Sequence, residues 1–291
     1  MSTPRETEIR RRRKRGRTMG GGLRRLLAPV LAGALALALA GCAEEEPKGI
    51  EGRKTLRIGV KFDQPGIGQQ TEDGEFEGFD VDVARYVAAY LGAAPDFVSI
   101  TSGDRERLLR ERKVDLVVAS YSITPDRRLQ VNFAGPYIIG HQDIMVREDD
   151  ADIHSVHDLR GKRLCKAGGS ISWKRVTVEL GIRAKLVPAT TYGECVEMLE
   201  AGMLDALTTD DVILAGFALR RPEAFRLVKA KFTDEKYGIG LHKDDIGGCE
   251  AVNRALIAMY QDGTAEKLLA RWFQPAGLET TGHVPQFEGC S

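Results

Sequence analysis

Apolar positions along the chain fall into short runs whose spacing alternates between the period of a strand and that of a helix. Leu56-Arg57-Ile58-Gly59-Val60 predicts a short buried strand. Within residues 78–91, Val83, Val87 and Leu91 recur at helical spacing, and Asp80 is the expected N-cap. Residues 97–100 and 114–119 predict two more strands, with a charged helix at 104–112 between them. Strand–helix–strand alternation implies a parallel sheet covered by helices.

The pattern then restarts. Strands are expected at 163–167, 184–187 and 204–209, and helices from Ser172, at 192–201 and at 211–219. A strand at 239–241 and helices at 252–260 and 265–273 close the chain. The reading is an α/β fold of two lobes. The chain leaves the first lobe near Gly140 and returns to it near Tyr237.

Charge changes the picture at the N-terminus. The formal net charge is zero, yet ten of the 42 Lys and Arg residues and two of the 42 acids lie in residues 1–41. The remainder carries eight more acids than bases, the opposite of the basic footprint that nucleic-acid binding needs. A basic run at 10–17 precedes an apolar run at 26–40 and then small residues, which is the layout of a secretory signal. The apolar run is too short to span a bilayer comfortably, which takes about 20 residues. Met19 is an alternative start, because residues 19–41 already form a whole signal. Leu39-Ala40-Gly41-Cys42 resembles a bacterial lipobox, which implies cleavage before Cys42 and a diacylglyceryl group on its thiol. Residues 1–41 are therefore expected as a lipoprotein signal peptide, and 42–53 as the lipidated Cys and a polar tether. The protein is expected outside the cytoplasm, anchored to the cell membrane.

Four cysteines remain, Cys165, Cys195, Cys249 and Cys290. In an oxidising compartment an even count suggests two bridges, with three connectivities open. No C-x-x-C spacing occurs, so no metal site is expected. His154 and His157 stand in a polar stretch and read as surface residues.

Several motifs together carry a family resemblance. Gly78-Phe79-Asp80-Val81-Asp82-Val83, continuing through Leu91, resembles the signature of the family 3 solute-binding proteins of polar amino-acid ABC importers. The run from Lys61 to Gly68, Gly135-Pro136-Tyr137 with His141-Gln142, and the run from Thr233 to Leu241 are similar to the glutamate-binding lipoprotein branch. The resemblance covers residues 54–275. It implies the type II periplasmic-binding-protein architecture, with two α/β lobes joined by a two-crossing hinge. Lobe one is then 54–140 plus 238–291, and lobe two is 141–237. It also supports pairing Cys165 with Cys195, which leaves Cys249 for Cys290 and pins the C-terminal tail to lobe one.

The resemblance also implies a ligand site, and the residue chemistry agrees with it. Ser120-Tyr121-Ser122 and Arg127 follow a strand, and open α/β sheets bind ligands beyond the carboxyl ends of their strands. An arginine fork matches a carboxylate, so Arg127 is expected on the ligand α-carboxylate with help from Ser122. Ser120 and Tyr121 are expected along the ligand. Asp210 is expected on the α-ammonium, with Asp211 as its rival and helix capping as the plain alternative. Ser170 and the Ile171 amide follow Gly168-Gly169 and would complete the carboxylate site from lobe two. Lys61 follows the first strand and suits a distal carboxylate, Gln64 adds an amide, and Phe62 packs beside the ligand methylenes.

No nucleophile elbow, Cys-His pairing motif or phosphate loop appears, so neither catalysis nor a cofactor is expected. The expected function is capture of an acidic amino acid, glutamate before aspartate or glutamine, and delivery to an importer. The expected partners are this ligand, ABC permease subunits and the membrane through the lipid, with the protein itself a monomer. The alternative is an amino-acid sensor subunit for a membrane signalling protein.

Overall fold

The computed structural model describes residues 49–278 and 282–290. The signal segment and Cys42 lie outside these residues. The described end of the expected tether is docked, not solvated. Ile50 is buried, its amide donates to Asp245 Oδ2 at 2.9 Å, and Arg53 pairs with Asp115 at 3.1 Å.

β1 (Thr55–Val60) leads into a small meander of β2 (Asp63–Gln64), β3 (Gly68–Gln70) and β4 (Phe76–Glu77). Then come α1 (Phe79–Tyr90), β5 (Ala94–Ser99), α2 (Arg105–Arg110), β6 (Leu116–Val118), the single turn α3 (Pro125–Arg128) and β7 (Asn132–Arg147). Beyond β7 lie β8 (Arg163–Ala167), the turn α4 (Ser172–Lys174), β9 (Lys185–Ala189), α5 (Tyr192–Glu200), β10 (Leu207–Asp210) and α6 (Asp211–Arg220). β11 (Phe225–Leu227), β12 (Asp234–Leu241), α7 (Ile246–Gln261) and α8 (Thr264–Phe273) complete the order.

β1 pairs in parallel with β5 on one side and β6 on the other, as the alternation predicts. The sheet as a whole is mixed, because β12 runs antiparallel to both β6 and β7. β7 carries the chain out of lobe one and β12 brings it back, so the two must run in opposite directions. Past the crossing, β7 pairs antiparallel with β10 and β11 in lobe two. β8 and β9 form a separate parallel pair.

Val83 and Val87 of α1 are fully buried, as their spacing requires. Asp80 does not cap that helix. Gly78 holds the N-cap position with φ +130°, and a Cβ there would stand 2.3 Å from the Ile67 carbonyl oxygen. Asp80 instead points inward, accepting from the Ser120 amide at 2.6 Å and the Tyr137 hydroxyl at 2.7 Å. Burial pushes its carboxyl up to about 6, against the pull of those two donors.

Both expected bridges form. Cys165 on β8 joins Cys195 on α5, and Cys249 on α7 joins Cys290, with Cα atoms 5.9 and 6.0 Å apart. Glu288 adds ion pairs to Arg128 of lobe one at 3.1 Å and to Lys236 on the returning crossing strand at 2.9 Å, so the tail is clasped beside the crossing.

Candidate functional site

The carboxyl ends of β1, β5 and β6 release three loops at one edge of lobe one, carrying Lys61, Ser102 to Arg105, and Ser120 to Arg127. Lobe two offers the turn after β8 and the end of β10, where Asp210 stands. A small cavity lies between them. Ser102, Arg105, Ser120, Ser122 and Arg127 line it from lobe one; Ser170, Ile171, Ser172, Tyr192, Thr209, Asp210 and Ile213 line it from lobe two.

Two buried guanidinium groups dominate the lobe-one wall. Arg127 Nη1 donates to the Ser122 carbonyl at 2.7 Å, and its Nε faces Glu106 at 3.2 Å. Arg105 Nε donates to the Ser102 carbonyl at 3.0 Å, and its Nη1 donates to the Ser120 carbonyl at 2.9 Å. Both arginines also reach the Gly169 carbonyl of lobe two at 3.1 Å, so the lobes are in contact across the cleft. Burial first, and Arg105 next, lower the Arg127 pKa to about 10.

Tyr121 is not part of the wall. Its ring packs against Phe133 and lies under both arginines, 4.5 Å from the Arg105 guanidinium carbon and 5.0 Å from that of Arg127. Its carbonyl accepts the Gly238 amide. Lys61 and Gln64 stand directly behind the wall. Lys61 is 2% exposed and its Nζ donates to Ser102 Oγ at 2.5 Å. Burial, and after it the Arg105 cation, hold this ammonium well below the usual lysine range. Gln64 Oε1 accepts from Ser120 Oγ at 2.9 Å. Phe62 lies elsewhere, on a second cleft shared with Gly193 and Phe217.

In lobe two the hydroxyls form a chain. Ser170 Oγ bonds Tyr192 OH at 2.6 Å, Tyr192 OH donates to Ser172 Oγ at 3.0 Å, and Gln142 Nε2 donates to the same oxygen at 3.1 Å. Gln142 Nε2 and Tyr237 OH each donate to Asp210, one to each carboxylate oxygen. Asp210 occupies the N-cap position of α6, yet its side chain makes no capping hydrogen bond. Burial foremost, with Glu235 adding repulsion, raises its carboxyl to about 8. The rival Asp211 faces away from the cavity, accepting from the His141 amide at 3.0 Å and pairing with Lys231 at 2.9 Å.

The structure thus gathers Ser120, Ser122, Arg127, Ser170, Ile171 and Asp210 around one cavity. Sequence reasoning missed Ser102, Arg105, Ser172, Tyr192 and Thr209. Ser102 and Arg105 follow the carboxyl end of β5, so the rule that selects Ser120 would have found them.

The profile of the bacterial extracellular solute-binding proteins, family 3, matches residues 56–275. Over 229 residues the chain is 42% identical to the glutamate-binding protein GluB of Corynebacterium glutamicum, covering 74% of this chain and 77% of that protein. It is 31% identical to the ABC transporter glutamine-binding protein GlnH of Bacillus subtilis, covering 77% of this chain and 83% of that one. Among solved structures, an ancestral arginine-binding protein bound to arginine is similar at 32% identity and a TM-score of 0.72, covering 76% of this chain and 99% of that chain.

Proposed function

We propose that this chain, which belongs to family 3 of the bacterial extracellular solute-binding proteins, closes its two lobes on an acidic amino acid, glutamate foremost, and delivers it to an importer. The observation that carries the choice of ligand is the surplus of cations. Arg105 and Arg127 line the cavity from lobe one with Lys61 buried behind them; against these three cations stand Asp210, the one carboxylate among the lining residues, and Glu106 beside Arg127 Nε. An α-carboxylate needs one guanidinium fork. The remaining two cations are matched by a second carboxylate, and a buried cation is costly without one. Asp210 is the counter-charge for the α-ammonium. The name of the Corynebacterium glutamicum relative supports the same reading.

The fold is the type II periplasmic-binding-protein architecture. We place its lobe boundaries at 54–140 plus 238–291 and at 141–237, since β7 and β12 cross between the lobes there. A ligand held from both sides shifts the open–closed equilibrium towards closed, and the closed form is what a permease would read. We read the protein as a monomeric receptor without turnover, held to the membrane through lipid on Cys42. Calorimetry against the twenty amino acids tests the ligand. Glutamate or aspartate should bind tightest and be recovered unchanged. A preference for arginine, histidine or glutamine would refute the reading.

A further inference from the structure

We infer that Gly216 sets the depth to which the cleft closes, as a side-chain-free seat on α6 for the carbonyl of Pro65. Glycine is among the least favourable residues inside a helix, and the rest of α6 is built from good helix formers and apolar residues. The reason for glycine lies across the cleft. A Cβ at position 216 would stand 1.8 Å from the Pro65 oxygen and 2.7 Å from its carbon. No rotamer change relieves that overlap, because the obstacle is backbone.

The Pro65 turn is also stitched to lobe one. The Ile67 amide donates to the Gln64 carbonyl, and the Gly66 and Ile67 carbonyls accept the first amides of α1. Proline fixes one backbone dihedral of the turn as well. Contacts on either side join the same two lobes: the Gly193 amide donates to Asp63 Oδ2 at 2.9 Å, and Arg220 donates to Gln69. A methyl group at 216 would therefore be relieved by α6 moving back. Asp210 leads directly into α6, so that movement carries the carboxylate away from Arg127. Gly216 touches none of the groups lining the cavity from lobe one, and it acts as a positioning residue for the receptor function proposed above.

The test is Gly216→Ala in the full-length exported protein, with glutamate as the probe. Alanine suits the helix, so the ligand-free thermal midpoint should stay the same or rise. The dissociation constant should rise at least tenfold. Small-angle scattering should show less compaction than wild type at equal saturation. Gly216→Ser, with the same Cβ, should repeat the loss. Unchanged affinity and compaction, or a loss of affinity accompanied by a lower ligand-free midpoint in both variants, would overturn the assignment. Wild-type protein that binds no amino acid would instead sink the receptor reading itself.

Discussion

The hydroxyl of Tyr237 donates to Asp210 Oδ2. Tyr237 lies on the returning strand β12, while Asp210 ends β10 in lobe two, so the carboxylate facing the cavity is held from the crossing between the lobes. Gln142, on the other crossing strand, holds the second oxygen. Those donors favour the ionised form, yet burial outweighs them and the carboxyl is raised to about 8. The shift favours the protonated form of Asp210 near neutral pH.

This gives a pH dependence of known sign. Between the ordinary carboxylate range, about 4, and about 8, the folded protein holds a proton that the unfolded chain has lost. Its stabilising contribution is full below that window and is lost as pH rises through it. Lys61 acts in the opposite sense, because its lowered pKa makes stability rise with pH. Comparing wild type with Asp210→Asn isolates the aspartate. The ligand-free wild type should lose stability relative to the variant as pH rises from about 4 to about 8. Thermal melts showing a pH-independent difference would count against it. Glutamate binding should release protons near pH 7, visible as a buffer-dependent heat.

Arg127→Ala should weaken glutamate binding by at least tenfold. Removing one partner of a desolvated charge pair costs about 2–5 kcal/mol. Arg127 also ties down the Ser122 carbonyl and Glu106, so circular dichroism should first establish that the variant folds. Near-normal affinity in a folded variant would assign the carboxylate to another group.

The alternation of short apolar runs made both lobes legible, and β1, β8 and α5 fall within a residue of their expected bounds. β7 was not legible. Its sequence is broken by Gly135-Pro136 and by Gly140, signals that argue against a central strand. Tertiary pairing overrides them, with Asn253 Oδ1 accepting the Gly135 amide. At the site, residues that follow a strand and carry an obvious charge were readable, as Arg127 and Asp210 were. Arg105 was overlooked because α2 reads as a charged, solvated helix, although its place beyond the carboxyl end of β5 pointed to it. Tyr121 misled in the other direction: its place in a polar loop hid that the ring belongs under the arginines.

The bridge between Cys165 and Cys195 should contribute stability more than affinity. The two residues are 30 positions apart, and closing such a loop is worth about 3–4 kcal/mol in the chain-entropy model. Cys165→Ala with Cys195→Ala should shift the denaturant midpoint accordingly while leaving glutamate affinity within a few-fold. A large affinity loss in the folded variant would mean that the bridge shapes the cleft.

Cys42→Ala should release the protein from the membrane into the surrounding fluid. Each buried acyl methylene contributes about 0.8 kcal/mol, and stable anchoring takes two chains, which a diacylglyceryl group supplies. The acidic body offers no electrostatic substitute on an anionic surface. Fractionation that finds the variant fully retained would contradict lipid anchoring.

Lys61 is the sharpest probe of ligand choice. Its ammonium carries three donors, and one of them is used on Ser102 Oγ. It is buried beside Arg105, which is why its charge is disfavoured in the empty protein. A second ligand carboxylate would relieve that repulsion, whereas the neutral amide of glutamine would not. Lys61→Met keeps most of the length of the side chain and removes the charge from a site that is already dry. The variant should lose most of the preference for glutamate over glutamine. Affinity for glutamine should change only a few-fold, because Arg127 and Asp210 are untouched. Competition binding with the two amino acids measures the ratio directly. An unchanged ratio would pass the selectivity to Arg105 alone, which reaches the cavity from the start of α2.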